Sequence, residues 1–199
     1  MVQIPANSAV LIGGKSLRFG SDKAFLRLGN QYVSERLVQL LASIFSSVCF
    51  IASTKRSLPL RGLKVYYDRE PGLGPLGGVL TALQNSKHDY TFIVPCDLPF
   101  IQPKLIEQLW QHKTDADIII PFYNDHSEPL TAFYHKRCIP HIEQTLRRNE
   151  HHMHSIHANL VVQKFALEKF FTKSQIERMF FNINFPEDYN KAMEIDTDE

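Results

Sequence analysis

Residues 8–12 read Ser-Ala-Val-Leu-Ile, a short uncharged run that stops at Gly13-Gly14. The same device recurs at 48–52, 63–67, 90–94 and 118–120, each run largely apolar and each ending at a turn former or a polar residue. Runs this short and continuous predict strands buried on both faces of a sheet. Between them the period changes. Val33, Leu37, Leu40, Leu41 and Ile44 share one face of a helix. Pro103 suits the first position of another, with Leu105, Ile106 and Leu109 as its buried face. Ile139, Ile142 and Leu146 mark a further helix, and Pro186 opens a closing one to about Met193. Leu130 to Tyr134 and Leu160 to Val162 read as later strands, and Pro71 to Gly78 as a turn-rich loop before a helix from Val79. Strands alternating with helices predict an α/β fold with a mainly parallel sheet. With no repeat and no linker, residues 1–199 are expected to form one domain.

Composition narrows the function classes. A net charge of +1 gives no general attraction to nucleic acid or an anionic membrane, so any anion site must be local. No apolar stretch approaches the roughly 20 residues of a membrane span. The N-terminal Met-Val-Gln-Ile-Pro lacks a basic leader. Cys49, Cys96 and Cys138 are too widely spaced for a metal pair or a disulfide framework, and Cys49 and Cys96, inside apolar runs, read as small buried hydrophobes. A cytoplasmic location is expected.

In open α/β sheets, ligands bind beyond the carboxyl ends of the strands. Gly13-Gly14 follows the first strand, Asp68 the third and Asp97 the fourth, so the three are expected to converge. A glycine loop lets the backbone approach a ligand and line up its N–H groups around an anion. Lys15, Arg18 and Lys23 add cations in the same stretch, which suits a polyphosphate. The segment matches neither the Walker loop nor the dinucleotide fingerprint. A bare Gly13-Gly14-Lys15-Ser16 reads more readily as a solvated basic turn between strand and helix. Asp97, fixed between Pro95 and Pro99, suits a divalent cation such as Mg²⁺, which binds through one or two carboxylates plus substrate phosphates. An N-cap or turn role is the competing reading, and for Asp68 alone the stronger one.

Four motifs in order are more specific than any one of them. They are Leu11-x-Gly13-Gly14-x-Ser16-x-Arg18-x-Gly20-x-Asp22-Lys23, then Gly74-Pro75-Leu76-Gly77-Gly78, then Pro95-Cys96-Asp97-Leu98-Pro99-Phe100, then Asn182-Ile183-Asn184-Phe185-Pro186-Glu187-Asp188. Together, and over nearly the whole chain, they resemble the molybdenum cofactor guanylyltransferase (MobA) family. The resemblance implies a Rossmann-like three-layer sandwich with a mainly parallel twisted sheet. It implies transfer of GMP from GTP to molybdopterin with release of pyrophosphate, dependent on Mg²⁺ with Mn²⁺ as a substitute. It also implies transient contact with other molybdenum cofactor biosynthesis proteins. On this resemblance nucleotide contacts fall on Leu11, Ile12, Gly13, Gly14, Lys15, Ser16, Lys23, Asp68 and Asp97. The catalytic groups would be Arg18, Lys23 and Asp97, the metal ligand Asp97, and Asn182 and Asn184 would lie toward the metal or acceptor. Residues to about 100 would bind the nucleotide and those after it the acceptor. Two positions depart from the family pattern: Ile12 replaces an alanine, and Ile51 an asparagine whose contact is therefore not carried over, with Ser53 the nearest polar group.

Two rival classes remain. One is a related transferase using CTP or a sugar-phosphate acceptor; the other is a non-catalytic nucleotide-binding regulatory module. The cluster His151, His152, His154 and His157 lacks zinc-site spacing and reads as an exposed loop. Phe170, Phe171, Phe180, Phe181 and Trp110 read as packing residues.

Overall fold

The computed structural model describes residues 3–12, 25–54, 62–68 and 72–197. Its central sheet has the order β10-β7-β9-β6-β1-β4-β5, with β8 hydrogen-bonded to β7. The strands are β1 (Asn7–Ile12), β4 (Val48–Ala52), β5 (Lys64–Tyr67), β6 (Tyr90–Pro95), β7 (Ile118–Tyr123), β8 (His126–Ser127), β9 (Ala132–His135) and β10 (Val162–Ala166). A separate hairpin joins β2 (Arg27–Leu28) to β3 (Gln31–Tyr32). The β1–β4, β1–β6, β4–β5 and β7–β10 pairs are parallel, while β9 runs antiparallel between β6 and β7. The α-helices among the described residues are α1 (Val33–Ile44), α2 (Gly74–Gln84), α3 (Pro103–Gln111), α4 (Cys138–Arg147), α5 (Lys173–Met179) and α6 (Pro186–Thr197).

The uncharged run in β1 is buried at all six positions because both faces of the sheet are covered. Val10 and Ile12 pack with Leu37, Leu41, Phe50, Phe92, Leu105 and Leu109 on one side, under α1 and α3. Ala9 and Leu11 pack with Leu76, Val79, Leu83, Tyr134 and Ile142 on the other, under α2 and α4. Three layers result, as expected. Trp110 meets Tyr90 edge-on at 5.6 Å and Phe133 at 5.3 Å, within the first of these cores. Phe171 is buried in that core and Phe170 and Phe180 pack against it. Cys49, Cys96 and Cys138 are buried free thiols, and burial pushes Cys49 and Cys138 up to about 12.

Several boundaries differ from the sequence reading. Helix α2 begins at Gly74, five residues ahead of the expected Val79. Its glycines serve close packing: a Cβ on Gly77 would sit 2.5 Å from Leu73 Cβ, and one on Gly78 3.3 Å from Leu11 Cδ2. The late strand starts at Val162 because the backbone at Val161 is taken up by Asp117, whose N–H donates to Val161 O at 2.8 Å and whose carboxylate accepts from Val161 N. The histidine segment is a 3-10 helix, Met153–Asn159, with Met153 and Ile156 buried against the α2/α4 core. Burial, and then the charges of His154 and Lys164, depress the pKa of His157. Among the described residues no group of three or more His, Cys, Asp or Glu is arranged to hold a metal ion. No described helix is long and apolar enough to cross a membrane.

Candidate active site

The carboxyl ends of the parallel strands open into a cleft of about 830 Å³. Topology alone brings distant segments to it. β1 delivers Leu11 and Ile12, the residues after β4 deliver Ser53 and Thr54, and β5 delivers Asp68. β6 ends in Pro95 and presents Asp97; Gly74, Pro75 and Gly78 of α2 form one wall. β9 runs against its neighbours, so its leading end, preceded by Glu128-Pro129-Leu130-Thr131, also lies at this edge.

The C-terminal motif is tied in by one backbone contact. Ile183 N–H donates to Asp97 O at 3.2 Å, and the Ile183 side chain is fully buried. Asn182 and Asn184 flank it, exposed and lining the cleft. The geometry follows from a helix start. Pro186 stands in the first turn of α6, where its missing N–H costs nothing. Three residues after Phe185, Asp188 accepts from Phe185 N at 2.9 Å and Asn184 N at 3.0 Å. A carboxylate there satisfies donors a helix end would otherwise leave open and suits the positive end of the helix dipole. A third small core, Leu26, Leu28, Val33, Phe100, Ile183 and Ala192, packs α6 against the β2–β3 hairpin. Asp196 grips Arg36 through both carboxylate oxygens, while the same guanidinium donates to Leu28 O at 3.0 Å.

Asp68 accepts a hydrogen bond from Thr81 Oγ1 at 2.8 Å. Burial raises its pKa from the ordinary value, and the Thr81 hydroxyl partly offsets that. Ile12 is 1% exposed with its side chain in the α1/α3 core, so only its main chain reaches the cleft. An isoleucine at this position therefore fills core volume. Ile51 is likewise buried, in the opposite core, and Ser53 follows it at the cleft.

The structure thus brings together Leu11, Ile12, Asp68, Asp97, Asn182 and Asn184. Gly13, Gly14, Lys15, Ser16, Arg18 and Lys23 lie outside the described residues. The sequence reading missed Glu128, which carries no motif and reaches the cleft only through the reversal at β9. Among the described lining residues the charged side chains are Asp68, Asp97 and Glu128, all acidic.

Comparison with known proteins places this architecture. The family of MobA-like NTP transferase domains matches residues 8–163. A probable molybdenum cofactor guanylyltransferase of Pelotomaculum thermopropionicum is 32% identical over 95% of this chain and 92% of its own length. One from Carboxydothermus hydrogenoformans is 34% identical over 94% of each chain. The crystal structure of molybdopterin-guanine dinucleotide biosynthesis protein A from Archaeoglobus fulgidus superposes with a TM-score of 0.81, covering 97% of this chain and 100% of that one at 23% identity. The six-residue buried β1, the α2 wall, the strand-end carboxylates and the tied C-terminal motif sit in a chain that belongs to the MobA-like NTP transferase family and is a nucleotidyltransferase.

Proposed function

We propose that this chain transfers GMP from GTP to molybdopterin, forming the guanine dinucleotide cofactor and pyrophosphate. The observation that carries the reading is the meeting of Asp97, Asp68 and the Asn182/Asn184 pair in one nucleotide-sized cleft beside the end of β1. The names of the curated relatives supply the substrate classes.

Both substrates are anions, so the barrier contains their mutual repulsion, and positioning and charge neutralisation are the protein's main tasks. An oxygen of the acceptor phosphate forms a bond to the α-phosphorus of GTP as the bond to the β-phosphate oxygen breaks; pyrophosphate takes the electron pair. The nucleophile is already ionised at neutral pH, so no general base is needed from the nine histidines or elsewhere. The cleft's described carboxylates repel phosphate, which leaves its neutralisation to Lys15, Arg18 and Lys23 and to a cation at Asp97. The donors near Asp97 are oxygens, its own carboxylate and the amides of Asn182 and Asn184, without a histidine or cysteine cluster among the described residues. That set fits Mg²⁺, which takes few protein ligands and keeps phosphate and water oxygens, and Mn²⁺ accepts the same donors. When bound, the ion supplies positive charge to the phosphate oxygens. Asp68, at the other end of the cleft, would hold the nucleoside.

The test is Asp97→Ala. It should abolish pyrophosphate release while thermal unfolding stays cooperative, because the side chain sits at the cleft and not in a core. Near-normal release with Mg²⁺ present would sink the assignment. Lys23→Ala should lower the rate by about two orders of magnitude or more, and an unchanged rate would remove it from the site.

A further inference from the structure

Glu128 has no role in the phosphate chemistry, yet it is one of three described charged side chains in the cleft. Its backbone is held at several points. Glu128 N–H donates to Pro121 O at 3.1 Å, Thr131 N–H closes the turn onto Glu128 O at 3.0 Å, and Tyr134 Oη donates to Pro129 O at 2.7 Å. The preceding reversal is equally fixed: Asn124 and Asp125 have φ of 48° and 62°, the two-residue turn that suits a tight hairpin. Against this rigid frame, the carboxyl itself has no hydrogen-bond partner among the described residues. Burial raises its pKa, with the nearby His126 charge opposing. A hydrogen-bonded backbone carrying a half-buried acceptor with no described partner is placed to meet a donor from a ligand.

Position says which ligand. In the order β9-β6-β1-β4-β5 neighbouring strands lie about 4.8 Å apart. Asp68, beyond β5, is three strands from Asp97, or about 14 Å, whereas the Glu128 turn leads into β9, the strand next to β6 on the other side. The nucleotide positions Leu11, Ile12 and Asp68 all fall on the β1–β5 side of Asp97. Glu128 stands on the opposite side, where the second substrate must lie. A carboxylate repels that substrate's phosphate, so it must face the other end of the molecule. Its two oxygens match adjacent N–H donors, such as the ring N–H and exocyclic amine of a 2-amino-4-oxo pyrimidine edge.

We infer that Glu128 is the acceptor-specificity residue, gripping the 2-amino-4-oxo edge of a pterin through paired N–H donors. The inference rests on the functional reading above, with the acceptor a pterin phosphate.

The experiment is Glu128→Gln with Glu128→Asp alongside, with KM for molybdopterin and KM for GTP measured separately. The glutamine variant keeps the shape but turns an amide N–H₂, itself a donor, toward one of the ligand's donors. KM for molybdopterin should rise about ten- to a hundredfold with KM for GTP unmoved, and Glu128→Asp should recover part of the loss. A rise in KM for GTP alone, or no change in either, overturns the inference. A second readout needs neither GTP nor transfer: direct binding of 6-hydroxymethylpterin against its 2-oxo counterpart, 6-hydroxymethyllumazine. The wild-type chain should prefer the pterin and Glu128→Gln should lose that preference. Equal discrimination by both proteins overturns the assignment of Glu128. Absence of GMP transfer by the wild-type chain, with pterin preference intact, would instead overturn the reading of the reaction.

Discussion

Thr81→Val removes the side-chain hydrogen bond that Asp68 accepts from among the described residues. Valine keeps the shape of threonine and removes only the hydroxyl, which donates to Asp68 Oδ1 at 2.8 Å from a residue 7% exposed. A hydrogen bond to a charged group is worth about 1.5–3 kcal/mol when buried, and about 1–2 kcal/mol is expected with Asp68 partly open to the cleft. For a chain of this size that is a fall of roughly 2–8 °C in Tm. The pH dependence carries the sharper sign. Asp68 has a folded pKa above its unfolded value, so its ionisation costs stability: its favourable contribution is full below the unfolded pKa and is lost as pH rises through the folded one. The hydroxyl reduces that cost by favouring the carboxylate. Removing it must therefore push the Asp68 pKa further up and destabilise the protein more at pH 7 than at pH 4. Urea unfolding of wild type, Thr81→Val and Thr81→Ser at both pH values measures this, the serine variant retaining most of the stability. A Thr81→Val deficit that is equal at the two pH values would refute the argument.

Two further predictions concern the frame of the cleft. Gly77→Ala should destabilise by about 1–3 kcal/mol despite the better helix propensity of alanine, because its Cβ meets Leu73 Cβ at 2.5 Å. Gly78→Ala meets the end of the Leu11 side chain at 3.3 Å and Ile51 Cγ2 at an ordinary 3.7 Å, and should stay within about 1 kcal/mol of wild type in the same denaturation assay. Asp196→Asn should cost about 1–2 kcal/mol by removing the charge and one of the two hydrogen bonds to Arg36, and hydrogen exchange should rise first in α6 and the β2–β3 hairpin; uniform exchange across the sheet would contradict the latch.

What could be read from the sequence follows from what the sequence encodes locally. β1, β4 and β6 were legible because burial on both faces makes a strand continuously apolar, and α1 because Val33, Leu37, Leu41 and Ile44 keep a helical period. The α2 start was hidden because glycine and proline signal turns, whereas Gly77 and Gly78 here answer to neighbours at Leu73 and Leu11. α5 exposes most of its surface and buries only Ile176 and Met179; its one local signal was the capping box from Thr172 to Gln175. The two-residue strands β2, β3 and β8 are too short to show any period. For the site, Asp68 and Asp97 announced themselves as polar residues after apolar runs. Glu128 could not, because its place depends on β9 running antiparallel beside β6.

Guanylyl transfer at this cleft is tested most directly by supplying molybdopterin, Mg²⁺ and each of α-labelled GTP, CTP, ATP and UTP in turn. Label should enter the dinucleotide product from GTP, with one pyrophosphate released per label transferred and no comparable product from the other three. Preference for CTP, or nucleotide binding without pyrophosphate release, would contradict it.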